Sequence, residues 1–309
     1  MNNKFSSSVA ILLGTFNGAQ FINEQLSSYQ RQTYSNWSLW AADDGSVDGS
    51  QRLIKNFSQV SPQPVILLEG PRQGVCHNFA SLISNDEIKA SYYAFSDQDD
   101  VWLEHKLERA VRWLDSIPDD TPALYCGRTK LIDTYGKEIG FSPAYTKPPS
   151  FANALLQNLA SGNTMVFNNK ARELLKHVSN GPMVIHDWAL YLVVTACGGQ
   201  VFFEPEPTVL YRQHDNNVIG NGMALMTRID NFRKAHHGRK AMWNDINIAM
   251  LNLIGHQMTT NNQRRFNDFV AIRDNTLFER LRLLIRSGVY HQQFAGMLTT
   301  LSYALLNRM

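Results

Sequence analysis

Apolar and polar positions between Val9 and Leu114 predict strands and helices in strict succession. Val9-Ala10-Ile11-Leu12-Leu13 is an unbroken apolar run of strand length, and Gly14-Thr15-Phe16-Asn17-Gly18 ends it with turn chemistry. Ile22, Leu26 and Tyr29 then recur at i, i+4 and i+7, the spacing of one helical face. A second strand is predicted at residues 37–42, ending in Asp43-Asp44-Gly45-Ser46, and Leu53, Ile54 and Phe57 give the next helix its apolar face. Residues 65–68 read as a third strand, and Val75, Phe79, Leu82 and Ile83 as a third helix. Tyr92-Tyr93-Ala94-Phe95 is a fourth strand that runs into Ser96-Asp97-Gln98-Asp99-Asp100-Val101-Trp102. Leu103, Leu107, Val111 and Leu114 predict a helix after it.

This alternation predicts an α/β fold with a largely parallel sheet and helices on both faces. Ligands of such sheets sit beyond the carboxyl ends of the strands. The loops at 15–17, 43–46 and 97–100 each follow an apolar strand directly, so they converge on one edge. Further along, residues 123–126 continue the strand pattern, Tyr135-Gly136-Lys137 is a turn between two strands, and residues 141–149 form a loop. Ala152, Leu155, Leu156 and Leu159 predict a helix, residues 161–167 a loop entering a strand, and residues 208–211 another strand. The rest is helical in pattern. We therefore expect a catalytic domain over residues 1–220 and a helical, basic appendage over 221–309.

Composition narrows the class. A chain of 309 residues, 44% hydrophobic, can bury a sizeable core, and a net charge of +2 does not describe a nucleic-acid binder. Cys76, Cys126 and Cys197 lack metal or redox spacing, which implies neither a disulfide framework nor a zinc site and suggests a reducing compartment. No window approaches the roughly 18 apolar residues of a membrane span, and the first residues resemble no secretion signal, so a cytoplasmic location is expected. Charge is uneven, with twelve Lys and Arg against five Asp and Glu in residues 223–309. Residues 231–240 form a basic cluster, and Arg280, Arg282 and Arg286 interleave with Leu281, Leu283, Leu284 and Ile285. Such helices either lie on an anionic membrane face or dock on the catalytic domain and leave their arginines in water. His236-His237 has no metal-site spacing.

The acidic turn carries the chemistry. Three carboxylates this close repel one another unless a hard divalent cation, Mg²⁺ or Mn²⁺, takes up the charge; the alternative is a solvated turn that caps the next helix. Neither a Gly-x-Gly-x-x-Gly nor a Gly-Lys-Ser/Thr motif is present. A nucleotide site can instead use Phe16 as a flat face for a base, Asp44 as acceptor for a base N–H, Asp97 near the ribose, and a cation on Asp99 against a diphosphate. Core packing for Phe16 and helix capping for Asp44 are the competing roles.

Taken together, Thr15-Phe16-Asn17, Gln32-Thr33-Tyr34-Ser35-Asn36-Trp37, Asp43-Asp44-Gly45-Ser46-Val47-Asp48 and Ser96-Asp97-Gln98-Asp99-Asp100-Val101-Trp102 resemble the inverting family 2 glycosyltransferases of the GT-A fold. The likeness runs in order to about Gly220. The form of the acidic motif resembles the bacterial polysaccharide branch, many members of which are rhamnosyltransferases using dTDP-L-rhamnose. The resemblance implies transfer of one sugar from a dTDP- or UDP-sugar, with a divalent cation, to a saccharide or lipid-linked acceptor in O-antigen or capsule synthesis. It also implies possible residue roles. Thr15, Phe16 and Asn17 line the nucleotide site. Asp187, in Ile185-His186-Asp187-Trp188, falls where the family carries the base that takes the acceptor proton, its competing role being to cap the helix at 188–196. Trp188 is a platform for a sugar ring or a buried packing residue. Arg212 and His214 resemble an Arg-x-His element that reaches diphosphate and metal, although a solvated His214 is equally compatible with the sequence. Gly162 faces the acceptor or is an ordinary connection.

The Gln-x-x-Arg-Trp signature of processive synthases is absent, which speaks against a polymerising, membrane-spanning enzyme. Two rival readings remain. A nucleotidyltransferase would release pyrophosphate with two metals. A non-catalytic sugar-nucleotide binder would leave Asp187 and His214 poorly explained.

Overall fold

The structure is a computed structural model that describes residues 7–159, 161–214 and 239–307. The expected boundary near residue 220, residues 231–238 of the basic cluster, and His236-His237 lie outside the described residues. Strand β1 (Val9–Thr15), helix α1 (Ile22–Gln30), β2 (Trp37–Asp43), α2 (Ser50–Val60), β3 (Val65–Glu69), α3 (Val75–Ser84) and β4 (Tyr92–Ser96) follow the predicted succession. The strands pair in parallel, β1 lying between β4 and β2, and β2 lying beside β3. Successive β1 side chains therefore enter opposite cores. Ala10 and Leu12 pack with Phe79 and Leu82 of α3, whereas Val9, Ile11 and Leu13 pack with Ile22 and Leu26 of α1.

Beyond the acidic turn the chain departs from the expected pattern. Val101 and Trp102 form a two-residue strand, β5 (Val101–Trp102), and α4 (Lys106–Leu114) begins only afterwards. The reason is pairing: Trp102 and Val101 sit opposite Val209 and Leu210, and the Leu103 N–H donates to the Thr208 carbonyl at 2.9 Å. β6 (Ala123–Gly127), β7 (Lys130–Ile132) and β8 (Glu138–Phe141) follow, with the expected turn between the last two. The helix expected through Leu159 is a single turn, α5 (Phe151–Ala154); Leu155, Leu156 and Leu159 are buried without extending it.

β9 (Val166–Asn168) enters the main sheet antiparallel between β4 and β6, and α6 (Asn169–Ser179), α7 (His186–Ala196), β10 (Gln200–Glu204) and β11 (Val209–Arg212) complete the region. The main sheet has the order β10-β6-β9-β4-β1-β2-β3, and a smaller one runs β5-β11-β7-β8. The small sheet begins where the acidic turn ends, so β11 returns the chain to that turn.

The tail forms α8 (Lys240–Leu253), α9 (Thr260–Ala271), α10 (Leu277–Ser287) and α11 (Phe294–Leu305). Met250, Phe266, Leu284 and Tyr303 belong to the same core as Leu190 and Val193 of α7. No described helix is long and apolar enough to cross a membrane.

Candidate active site

The carboxyl ends of β1, β2 and β4 open on a cleft of about 770 Å³. Its first wall is stitched by side chains that bond across the loops. Asp43 is buried and accepts hydrogen bonds from Thr15 Oγ1 at 2.7 Å, from Ser46 Oγ at 2.6 Å and from Gln51 Nε2 at 2.7 Å, which ties the loops after β1 and β2 together. Asp44 lines the cleft and accepts the backbone N–H of Arg72 at 2.6 Å on one oxygen and that of Gly74 at 2.7 Å on the other. Each oxygen keeps lone-pair capacity for a further donor. Asn17 takes a left-handed conformation (φ 49°), which asparagine tolerates, and its Oδ1 accepts the Val47 N–H at 3.0 Å. Phe16 is 55% exposed and lines the cleft, so its ring is available for stacking.

Sequence reasoning missed Gln98. Its carboxamide accepts the Phe16 N–H at 2.8 Å and donates to the Phe16 carbonyl at 2.9 Å, pairing with that backbone as a strand would. The clamp also explains Gly18, where an added Cβ would lie 2.2 Å from Gln98 Oε1. The signal was the amide standing between Asp97 and Asp99, but its partner is 82 residues away.

The acidic turn divides by direction. Asp97 and Asp99 line the cleft, and Asp100 turns inward to accept from Asn163 Nδ2 and, at 3.0 Å, from the Arg212 backbone N–H. Burial, reinforced by the charges of Asp99 and Asp187, pushes Asp97 up to about 8. Asp99 Oδ2 lies 2.7 Å from His214 Nε2, and the His214 ring stacks on Phe21 at 5.4 Å. The structure thus brings Asp99 and His214 together at the cleft. Arg212 is different: it is 1% exposed and does not line the cleft. Its guanidinium donates to the carbonyls of Asp99 (2.9 Å), Asp133 (3.3 Å) and Thr134 (3.2 Å) and to Glu24 Oε2 (2.7 Å). The diphosphate contact expected of Arg212 is not what its placement offers: its planar fork is turned into the protein and bonds to the turn that carries Asp99.

Asp187 lies in the first turn of α7, whose start at His186 precedes the expected 188. One of its oxygens accepts the Gly162 N–H at 3.0 Å and the other the Trp188 N–H at 2.6 Å, and burial raises its pKa to about 6. Gly162 lines the same cleft; a Cβ there would come within 2.9 Å of His186 Nε2, so only glycine lets that N–H approach Asp187. His186 also lines the cleft, stacks on Phe79 at 3.9 Å, and has neither ring nitrogen hydrogen-bonded; burial lowers its pKa to about 3. Trp188 is 4% exposed, donates to the Ala154 carbonyl at 2.8 Å and meets Trp243 edge-on. Of the two roles open for Trp188, the structure has core packing, its ring and its N–H being engaged inside the protein.

Among the described residues no group of three His, Cys, Asp or Glu side chains could hold a metal ion. The Asp99 and His214 pair nevertheless suits a cation such as Mn²⁺, which accepts an imidazole beside a carboxylate and can complete its shell with phosphate oxygens and water.

Comparison with known proteins agrees with this architecture. The family described as Glycosyl transferase family 2 matches residues 10–167. A dTDP-rhamnosyl transferase, RfbG of Shigella flexneri, is 26% identical over 227 residues, 70% of this chain and 76% of its own. An Escherichia coli enzyme, WfgD, named as a UDP-Glc:alpha-D-GlcNAc-diphosphoundecaprenol beta-1,3-glucosyltransferase, is 30% identical over 33% of this chain and 39% of its own. Among solved structures, the mannosyltransferase PcManGT of Pyrobaculum calidifontis in complex with GDP-Man and Mn²⁺ superposes with a TM-score of 0.53 at 15% identity, covering 99% of this chain and 86% of that one. S. aureus TarS in complex with UDP-GlcNAc gives 0.54 at 12% identity, covering 97% and 88%. The chain has the GT-A fold and belongs to glycosyl transferase family 2.

Proposed function

We propose that this glycosyltransferase inverts configuration while moving a single L-rhamnose from dTDP-L-rhamnose to a lipid-linked saccharide in the synthesis of a cell-surface polysaccharide, working at the cytoplasmic face of the membrane. The observation that carries the reading is the meeting of Asp187, Asp99 and His214 in one cleft. The similarity to RfbG supports rhamnose, and the diphosphoundecaprenol in the name of WfgD supports a lipid carrier.

Phe16 stacks on the base, Asp44 accepts a base N–H, Asp97 sits near the ribose, and Thr15 and Asn17 hold these loops in place. Asp99 and His214 would hold a divalent cation, which when bound would offset charge on the leaving diphosphate. Asp187 accepts the proton of the acceptor hydroxyl as that oxygen attacks the anomeric carbon. A carboxyl raised to about 6 is still ionised at neutral pH and is a stronger base than an ordinary aspartate. The Gly162 N–H fixes one of its oxygens, and Gly162 opens the acceptor wall.

The test is a panel of sugar nucleotides with Mg²⁺ or Mn²⁺, read by nucleoside diphosphate release in the presence of a lipid-linked saccharide. Release of dTDP from dTDP-L-rhamnose is expected. Preference for a UDP-sugar would overturn the rhamnosyl assignment, and pyrophosphate release would favour a nucleotidyltransferase.

A further inference from the structure

The tail arginines are partnered, although Arg282 and Arg286 stay largely in water. Arg280 donates to the Ala304 carbonyl at 3.0 Å, Arg286 pairs with Asp268 at 3.0 Å, and Arg282 pairs with Glu279 at 3.3 Å. The unusual feature is apolar. On α11, Phe294, Leu298, Leu301 and Leu305 are all exposed, and their spacing of 4, 3 and 4 keeps them within about 60° of arc at 100° per residue. On α10, which packs against α11, Phe278 and Ile285 are 76% and 80% exposed and stand two turns apart on one face. No charged residue occurs in α11. An exposed apolar stripe of this length is what soluble surfaces avoid.

Two further observations choose its occupant. The segment between α10 and α11 is fastened to the wall that leads into Gly162. Gln292 exchanges hydrogen bonds with the Lys147 backbone at 3.1 and 2.9 Å, the Tyr290 carbonyl accepts from Asn153 Nδ2 at 3.1 Å, and the Gln292 N–H donates to Gln157 Oε1 at 3.1 Å. The stripe is thus tied to residues 147–157, the stretch of chain that leads to Ser161 and Gly162 of the cleft. The flanking helix also carries three arginines against one glutamate, and Arg282 and Arg286 keep more than half of their side-chain surface in water. Apolar side chains beside exposed cations complement an anionic lipid surface, and an acceptor on a lipid carrier must be met there.

We infer that the outer face of α10 and α11 is a membrane-docking surface that inserts Phe278, Ile285, Phe294, Leu298, Leu301 and Leu305 into the headgroup boundary of an anionic bilayer. The inference rests on the lipid-linked acceptor proposed above. It differs from the sequence expectation in assigning the main contact to the apolar stripe, with arginine charge adding the preference for anionic lipid.

The experiment is co-sedimentation of the full chain with vesicles of phosphatidylcholine alone or mixed with phosphatidylglycerol, without any sugar nucleotide. Wild type binds the mixed vesicles more tightly, and binding weakens as salt rises. The doubly substituted Leu298→Glu/Leu305→Glu chain loses binding by about tenfold or more, because each change puts a charge at the boundary. Both positions are exposed, so folding is retained, and an unchanged melting curve checks this. Binding of the variant equal to wild type would overturn the inference. So would a wild type that ignores vesicles and forms dimers which L298E/L305E dissolves, assigning the face to a second copy. Vesicle binding without transfer from any donor would sink the proposed function and leave this surface standing.

Discussion

The two walls of the cleft are built differently. The wall formed by the loops after β1 and β2 has its acidic groups engaged before any ligand arrives: Asp43 and Asp44 bond to neighbouring loops and Gln98 clamps Phe16, whereas Asp97, beyond β4, is pushed up to about 8 by burial and by Asp99 and Asp187 and belongs with the other side. The facing wall keeps groups in costly states. Asp187 is buried with its pKa raised to about 6, and His186 is buried with both ring nitrogens unpartnered. A satisfied wall favours rigid recognition of a ligand, whereas a wall that holds a perturbed carboxylate is suited to proton transfer. Substitutions should therefore separate binding from turnover according to the wall they touch.

The sharpest separation comes from Asp187→Asn. The change is nearly isosteric but removes the proton acceptor, so kcat should fall about 10²–10⁴-fold while donor affinity, measured by calorimetry, stays close to wild type. Loss of donor binding as well would break the contrast between the walls and give Asp187 a structural role.

A smaller loss is expected from Arg212→Lys, which tests the brace rather than the site. Lysine keeps the charge but cannot present the fork that holds three carbonyls and Glu24, so the turn carrying Asp99 should loosen. Cation-dependent activity should drop about 10–100-fold, as for other residues that orient a ligand without touching the metal. The cation concentration for half-maximal activity should rise, and cation-free nucleotide binding should not change. If that binding weakens equally, Arg212 acts on the whole fold and the positioning role fails.

The unequal legibility of the walls has the same origin. Thr15, Phe16, Asp44, Asp97 and Asp99 follow apolar strands directly, so a parallel sheet suffices to gather them, and β1 to β4 with their helices were readable to within a few residues. Direction was not readable. Arg212 has the chemistry of a site residue and Trp188 was open between site and core, but whether a side chain faces a cleft or a core depends on partners such as Thr134 and Ala154, dozens of residues away. Asp187 and His214 were reached only through the family resemblance, since a helix start and a strand end look alike in many sequences. The β5 to β11 pairing escaped for a related reason: two residues are too short to show a period. α6 and β10 went unread altogether, although Ala171, Leu174, Leu175 and Val178 do keep a helical spacing.

The smallest expected effect sharpens the reactive wall alone. If Asp187 is the base, only its ionised form works, so the rate should be low in acid and rise with pH to a plateau. Burial raises its pKa to about 6, against an ordinary aspartate value near 4, and the sign follows: activity is present above about 6 and lost as pH falls through it. At saturating donor and cation, kcat at pH 6 should be about half its plateau, falling roughly tenfold per unit below pH 5. An unperturbed base would leave kcat flat down to about pH 5, which is the result that would count against the dry, raised carboxylate. His186 cannot produce the same limb, because burial holds it near 3 and it stays neutral throughout this range. Measuring donor affinity across the same pH values completes the comparison: a limb seen in kcat but not in binding belongs to the wall that carries Asp187.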